Sequence, residues 1–173
     1  MLSLTLPTIA PARPYQIPGI AALFEAQLLE HGIDRPARKL VPLLLELAER
    51  PQHGFILCAT CNGTVVGVAY APCILSLEHC GWSGWLEELY VLPQWRGNGI
   101  GSRLLDAIIA GAKERQWVAL DLEVDAGHQR AIPLYASRGF QSVARDRFAR
   151  RLDADSQWAA GVGGKSLTPA TEL

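Results

Sequence analysis

Three glycines fall within five residues, at Gly97, Gly99 and Gly101, between a strand-like run from Leu86 to Val91 and a helix-like run from Ser102 to Arg115. Glycine reaches backbone angles that other residues avoid and lets the main chain approach a ligand closely. The first N–H groups of a helix have no partner inside it, and the helix dipole adds partial positive charge at that end. A strand, a glycine turn and a helix in this order make a phosphate grip. A phosphorylated cofactor is expected on the backbone of Gly97, Asn98, Gly99, Ile100, Gly101 and Ser102.

Strand and helix periods organise the rest of the chain. Leu6 to Ala12 suits a first strand, and Ile17 to His31 a helix with Ile20, Leu23, Phe24 and Leu28 at helical spacing. Asp34 to Arg50 suits a second helix, with Asp34 as N-cap and Pro36 in its first turn. Gly54 to Thr60 and Thr64 to Ile74 form a hairpin around Asn62-Gly63, followed by a loop from Ser76 to Gly84 and a strand from Trp85 to Val91. In the helix after the glycine turn, Leu104, Leu105, Ile108, Ile109 and Ala112 make one apolar stripe. Val118 to Val124 is a strand, and Gln129 to Ser137 a short helix stopped by Gly139. Phe140 to Val143 and Arg147 to Leu152 are expected as a last pair of strands. The order predicts an α/β or α+β chain, a largely antiparallel sheet carrying helices. One domain is expected over residues 1–153, and the Gly-rich segment 154–173 is expected to be a disordered tail.

Composition narrows the partners. Sixteen basic and 17 acidic residues give a net charge of -1, which gives no reason to expect nucleic acid or an anionic membrane. No apolar run reaches membrane-spanning length, and Met1 to Ala10 lacks the basic start of a signal peptide, so a cytoplasmic location is the expectation. Cys58 and Cys61 form a C-x-x-C, but no second pair follows and no helix start lies beside them to activate a thiolate. They are expected to be buried, reduced and free of metal.

Three kinds of phosphate site match in part. A P-loop needs Lys-Ser/Thr after its last glycine, where this chain has Ser102-Arg103. A dinucleotide fold needs G-x-G-x-x-G, and the third glycine falls on Ser102, although Asp121 lies at a suitable distance to hold a ribose. Coenzyme A is the third. Val91-Leu92-Pro93-Gln94-Trp95-Arg96-Gly97-Asn98-Gly99-Ile100-Gly101 resembles the R/Q-x-x-G-x-G/A motif of the GNAT family of acetyl-CoA-dependent N-acetyltransferases, with its preceding Val-x-Pro. His128-Gln129-Arg130-Ala131-Ile132-Pro133-Leu134-Tyr135-Ala136-Ser137-Arg138-Gly139-Phe140 is similar to the same family's N-x-x-A-x-x-L-Y-x-x-x-G-F. The resemblance implies a GNAT fold, with a twisted, mostly antiparallel sheet of six to seven strands and about four helices, and acetyl-CoA as co-substrate.

It also implies roles. The amides from Gly97 to Ser102 would wrap the diphosphate, with Arg96 adding charge. Main-chain groups of Leu89, Tyr90 and Val91 would meet the pantetheine arm, which enters where this strand and the Val118–Val124 strand splay apart. An N–H near Val91 would polarise the acetyl carbonyl. Tyr135 falls at the family's tyrosine, near the cofactor sulfur; a phenol titrating near ~10 is protonated at neutral pH and can act as general acid. For the base, Glu87 shares a strand face with Leu89 and Val91 while Glu88 points the other way, so Glu87 acting through water is the first expectation. Glu123 resembles the base of some peptide N-terminal acetyltransferases. His128 replaces the usual Asn; it can bond the pantetheine arm, with a base or an exposed loop residue as the alternatives.

Leu86-Glu87-Glu88-Leu89 resembles the diamine and polyamine branch of the family, so a small-molecule amine is the expected acceptor, with Trp82 and Trp85 available to contact an ammonium. A peptide or protein amine is an alternative acceptor, as is an acyl-CoA-binding regulatory module without turnover. Relatives in the family are often dimers, so a homodimer is carried as an expectation.

Overall fold

Asn62 and Gly63 turn the chain through positive φ (48° and 78°), a twist that suits two hairpin strands. They join β2 (Gly54–Cys61) to β3 (Thr64–Ser76) in a computed structural model that describes residues 6–124, 126–145, 147, 149 and 152. β1 (Thr8–Pro11) lies antiparallel on the outer side of β2. The other side of β3 carries two antiparallel segments, β4 (Gly81–Leu86) at one end and β5 (Glu88–Val91) at the other. β6 (Ala119–Leu122) runs parallel to β4, the single parallel pairing among these six strands. A doubly wound parallel sheet is therefore excluded, and the dinucleotide fold with it.

The sheet is sandwiched. α1 (Ile17–Glu30) and α2 (Ala37–Glu49) bury Ile17, Ile20, Phe24 and Leu44 against Ile56, Cys58 and Val68 on one face. α3 (Ile100–Glu114) buries Leu104, Leu105 and Ile108 against Phe55, Leu57 and Val66 on the other, where α4 (Ile132–Ala136) also packs through Leu134 and Tyr135. This is the expected apolar stripe of α3, with Ile109 only partly buried. Cys58 and Cys61 are both buried, and burial pushes the Cys58 thiol up, away from thiolate chemistry.

Three sequence expectations change, and a fourth lies largely outside the described residues. α2 starts after Pro36, whose extended backbone (φ −64°, ψ 142°) holds the preceding segment, Asp34 included, outside the helix. Gly81–Gly84 is strand rather than loop, because these residues complete the ladder with the far end of β3. Residues 140–145 form no strand. Of the last expected strand, only residues 147, 149 and 152 are described, and 153–173 lie outside the described residues.

The segment read as one strand, Trp85 to Val91, is broken at Glu87. Cys73 pairs with Gly84 and Tyr70 with Glu88, so β4–β5 carries one residue more than β3 between these pairs. The Glu87 N–H donates to the Tyr70 carbonyl at 3.1 Å, although Glu88 is the register partner of Tyr70. Two residues opposing one is a β-bulge, which bends and twists its strand. β6 follows β4 as far as the Leu86–Leu122 pair, while β5 beyond the bulge pairs with β3 alone. A gap opens between β5 and the chain at Glu123.

Candidate active site between β5 and Glu123

The gap exposes main-chain groups. The Leu92 N–H bonds to Val66 O at 3.0 Å. In an antiparallel ladder such bonds alternate, so Tyr90 and Glu88 also aim their backbone at β3, and Leu89 and Val91 aim theirs into the gap. An extended, amide-bearing ligand arm can pair with such an edge.

Beyond Val91 the chain makes one turn (Pro93–Trp95) and enters the glycine segment. Gly97 and Gly99 both take left-handed angles (φ 79° and 74°), which disfavour a Cβ, and the Asn98 amide donates to Trp95 O and Arg96 O at 3.2 Å to hold the turn. Gly99 is the N-cap of α3, and no side chain caps it. The helix ladder opens with Arg103 N–H to Gly99 O, so the Ile100, Gly101 and Ser102 amides have no intrahelical acceptor. Ile100 anchors the turn through its buried side chain, 2% exposed. Three of the amides in the segment 97–102 are thus left without an acceptor inside the helix.

Arg96 is held by partners within the chain. Its guanidinium donates to both Glu30 carboxylate oxygens (2.8 and 3.0 Å) and its Nε to Val91 O (2.8 Å). Tyr90 Oη also donates to Glu30, at 2.8 Å. Burial raises the Glu30 carboxyl, but Tyr90 and Arg96 outweigh it and hold it below the ordinary range.

A cleft of about 800 Å³, counting its open mouth, passes through the gap. Leu89, Val91, Tyr90, Arg96, Glu87, Glu123, His128 and Tyr135 all line it. The sequence-predicted residues of the gap are therefore brought together, whereas Gly97–Ser102 do not line the cleft. Tyr135 is half-buried, its ring edge-on to Phe140 at 5.9 Å; burial pushes its phenol up, so it holds its proton at neutral pH. The His128 ring stacks on His31, with centroids 4.6 Å apart. Glu123 is ion-paired with Arg147.

The bulge changes the geometry expected of Glu87. Leu86, Leu89 and Val91 pack on the α3 side and Tyr90 on the α1 side, so strict alternation fails across Glu87. Glu87 reaches the cleft through the bulge rather than by sharing the face of Leu89 and Val91. Its partly dry surroundings raise its carboxyl, and Arg147 pulls the other way. Burial, then the charge of Glu87, pushes Glu88 up to about 7. Trp82 and Trp85 do not line the cleft: Trp82 sits beside Leu75 on the β3–β4 hairpin, and Trp85 lies under Arg147. Asp121 pairs with His79 at 2.9 Å, on the β3–β4 hairpin.

α1 supplies residues that the sequence motifs did not reveal. Gln27, Glu30 and His31 line the cleft from the α1 side, opposite the α4 residue Tyr135. Their spacing, i, i+3 and i+4, is one helix face at the end of an apolar stripe, the signal that marks them. Gln27 is 6% exposed and its Oε1 has no hydrogen-bond partner; leaving such an acceptor unpaired typically costs ~1–3 kcal/mol.

The raised Glu88 acid has a stability consequence. The folded chain holds this proton more tightly than an unfolded chain, in which the carboxyl titrates near 4.5. The associated stability is complete below 4.5 and lost as pH rises through about 7. Glu88→Gln is expected to raise Tm at pH 8 by an amount equivalent to ~2–4 kcal/mol and to change it little at pH 4.5. Thermal denaturation at both pH values checks this; an equal effect at both contradicts it.

Comparisons with known proteins agree on one family. The model of the acetyltransferase (GNAT) family matches residues 20–140. Thialysine N-epsilon-acetyltransferase from Bos taurus is 31% identical over 85 residues, covering 44% of this chain and 50% of the relative. Aminoalkylphosphonate N-acetyltransferase from Salmonella typhimurium is 32% identical over 91 residues, covering 53% and 58%. The chain spans about half the length of the curated relatives it matches. Among solved structures, a predicted acetyltransferase with acetyl-CoA from Clostridium acetobutylicum shares the fold, with a TM-score of 0.69 and 21% identity over 82% of this chain and 94% of that one. An aminoglycoside N-acetyltransferase in complex with CoA gives a TM-score of 0.73 at 16% identity, over 88% and 100%. No helix among the described residues is long and apolar enough to cross a membrane.

Proposed function

Because the chain belongs to the acetyltransferase (GNAT) family, we propose that it moves an acetyl group from acetyl-CoA to a primary amine by direct attack. The observation that carries this is the gap at the bulge: the backbone edge of Leu89 and Val91 turned away from β3, the Tyr135 phenol and the Glu87 carboxylate all open onto one cleft. Acetyl-CoA supplies a thioester, an acyl carbon already activated toward an amine. The Ile100, Gly101 and Ser102 amides hold its diphosphate at the start of α3, and Arg96 adds positive charge nearby. The Leu89 and Val91 backbone orients the pantetheine arm, and the Val91 N–H polarises the acyl oxygen. Glu87, through water, takes the proton that the ammonium must lose before it can attack. Tyr135 gives its proton to the departing sulfur.

A small cationic amine is the favoured acceptor. Three carboxylates (Glu30, Glu87, Glu123) line the cleft against two arginines, Arg96 and Arg130, and two relatives are named for thialysine and for aminoalkylphosphonate. The test is thiol release from acetyl-CoA over a panel of polyamines, amino acids and a short peptide. Release with a small amine is expected. Cofactor binding without release on any amine favours an acyl-CoA-binding module, and release on the peptide alone favours a protein acceptor.

The base assignment has its own check. The kcat/KM of the wild type is expected to fall as pH drops through the raised Glu87 titration, because the protonated acid cannot accept a proton. Glu87→Gln is expected to lower kcat/KM ~10²-fold and flatten that limb. A pH profile identical to wild type moves the role to Glu123, Glu88 or bulk water.

A further inference from the structure

α1 buries one continuous stripe, Ile17, Ile20, Ala21, Phe24, and then Gln27, where an apolar residue would extend the core. The substitution of polarity for packing coincides with the passage of α1 over the cleft. Gln27 Oε1 is enclosed and lacks a hydrogen-bond donor, and Gln27 lines the cleft together with Glu30 and Glu87. Buried acceptors in native proteins are nearly always paired, so an enclosed one beside carboxylates marks the place of a donor supplied from outside. Glu30 is matched by Arg96 and Glu123 by Arg147, whereas among the described residues no ion pair closes on Glu87. The cleft is the side of Gln27 from which a ligand can supply that donor, and its carboxylates suit a cation.

We propose that Gln27 Oε1 is a specificity determinant that accepts a hydrogen bond from a second cationic N–H group of the acceptor, so that the enzyme prefers a diamine to a monoamine of the same length. The proposal rests on the amine-acceptor reading of the cleft. The attacking nitrogen sits toward Val91, Glu87 and Tyr135, and the second nitrogen turns toward α1. An apolar or anionic end group leaves Oε1 unpaired and binds less well.

Calorimetry with the wild type and Gln27→Met, each with CoA bound, tests this with 1,4-diaminobutane and butylamine as probes. Methionine keeps the length and removes the acceptor. The wild type is expected to bind the diamine at least about tenfold tighter than butylamine, and Gln27→Met is expected to lose most of that ratio. Gln27→Met is also expected to melt at a higher temperature than the wild type without ligand, because the unpaired acceptor is gone. A wild-type ratio near one, or a ratio unchanged in Gln27→Met, overturns the proposal. Thiol release is scored separately: a diamine preference without release on any amine defeats the acetyltransferase reading and leaves the role of Gln27 in binding intact, whereas release on butylamine with no diamine preference does the reverse.

Discussion

Tyr135→Phe is expected to lower turnover by ~10²-fold or more while acetyl-CoA affinity stays within about twofold of wild type. The side chain is half-buried and its ring packs edge-on against Phe140, a contact that phenylalanine preserves. Only the hydroxyl is removed. Burial raises its titration above the ordinary value, so the phenol is fully protonated where the enzyme works and has a proton to give. Steady-state kinetics paired with calorimetry separates the two effects. A kcat close to wild type would mean that the thiolate leaves without help from this residue; a large loss of cofactor affinity would make Tyr135 a binding residue instead.

Gly99→Val is expected to abolish measurable cofactor binding. Valine at φ 74° pays ~1–2 kcal/mol or more for the left-handed backbone, and its branched side chain would stand where the diphosphate must approach. Strain and obstruction are then mixed, and Gly101→Ala separates them. Gly101 has ordinary helical angles, and a Cβ there would meet only Val91 Cγ2 at 3.9 Å. Alanine should therefore stabilise the helix by up to ~1 kcal/mol while crowding the anion that the neighbouring amides hold. A higher Tm with at least tenfold weaker CoA binding is the expected pair of results. A higher Tm with unchanged affinity would remove the diphosphate from this turn.

The parts of the molecule that rest on local chemistry were legible in the sequence. The Asn62-Gly63 hairpin, the glycine turn, the α3 stripe and the Gly139 stop each follow from backbone angles or from a period that a short window contains. The bulge was not, because one inserted residue leaves Leu86-Glu87-Glu88-Leu89 looking like a continuous strand, and it appears only when both halves are paired against β3. That single residue changes the orientation of Glu87 and opens the gap. The α1 contribution was hidden for a different reason. Gln27, Glu30 and His31 become cleft residues only when α1 packs across β5, a long-range event that helical spacing alone does not report. Arg96 shows the same limit: the motif marks its position in the chain, but its ion-pair partner, Glu30, lies on a helix far away in sequence.

The position of the coenzyme A diphosphate decides between these roles and any other, and a crystal structure of the chain with CoA bound reads it directly. The expected result is the diphosphate within hydrogen-bond distance of the amides of residues 97–102, with the pantetheine arm running through the gap along Leu89 and Val91 and its sulfur near Tyr135. A diphosphate bound elsewhere on the surface, or an arm that bypasses the gap, would contradict it.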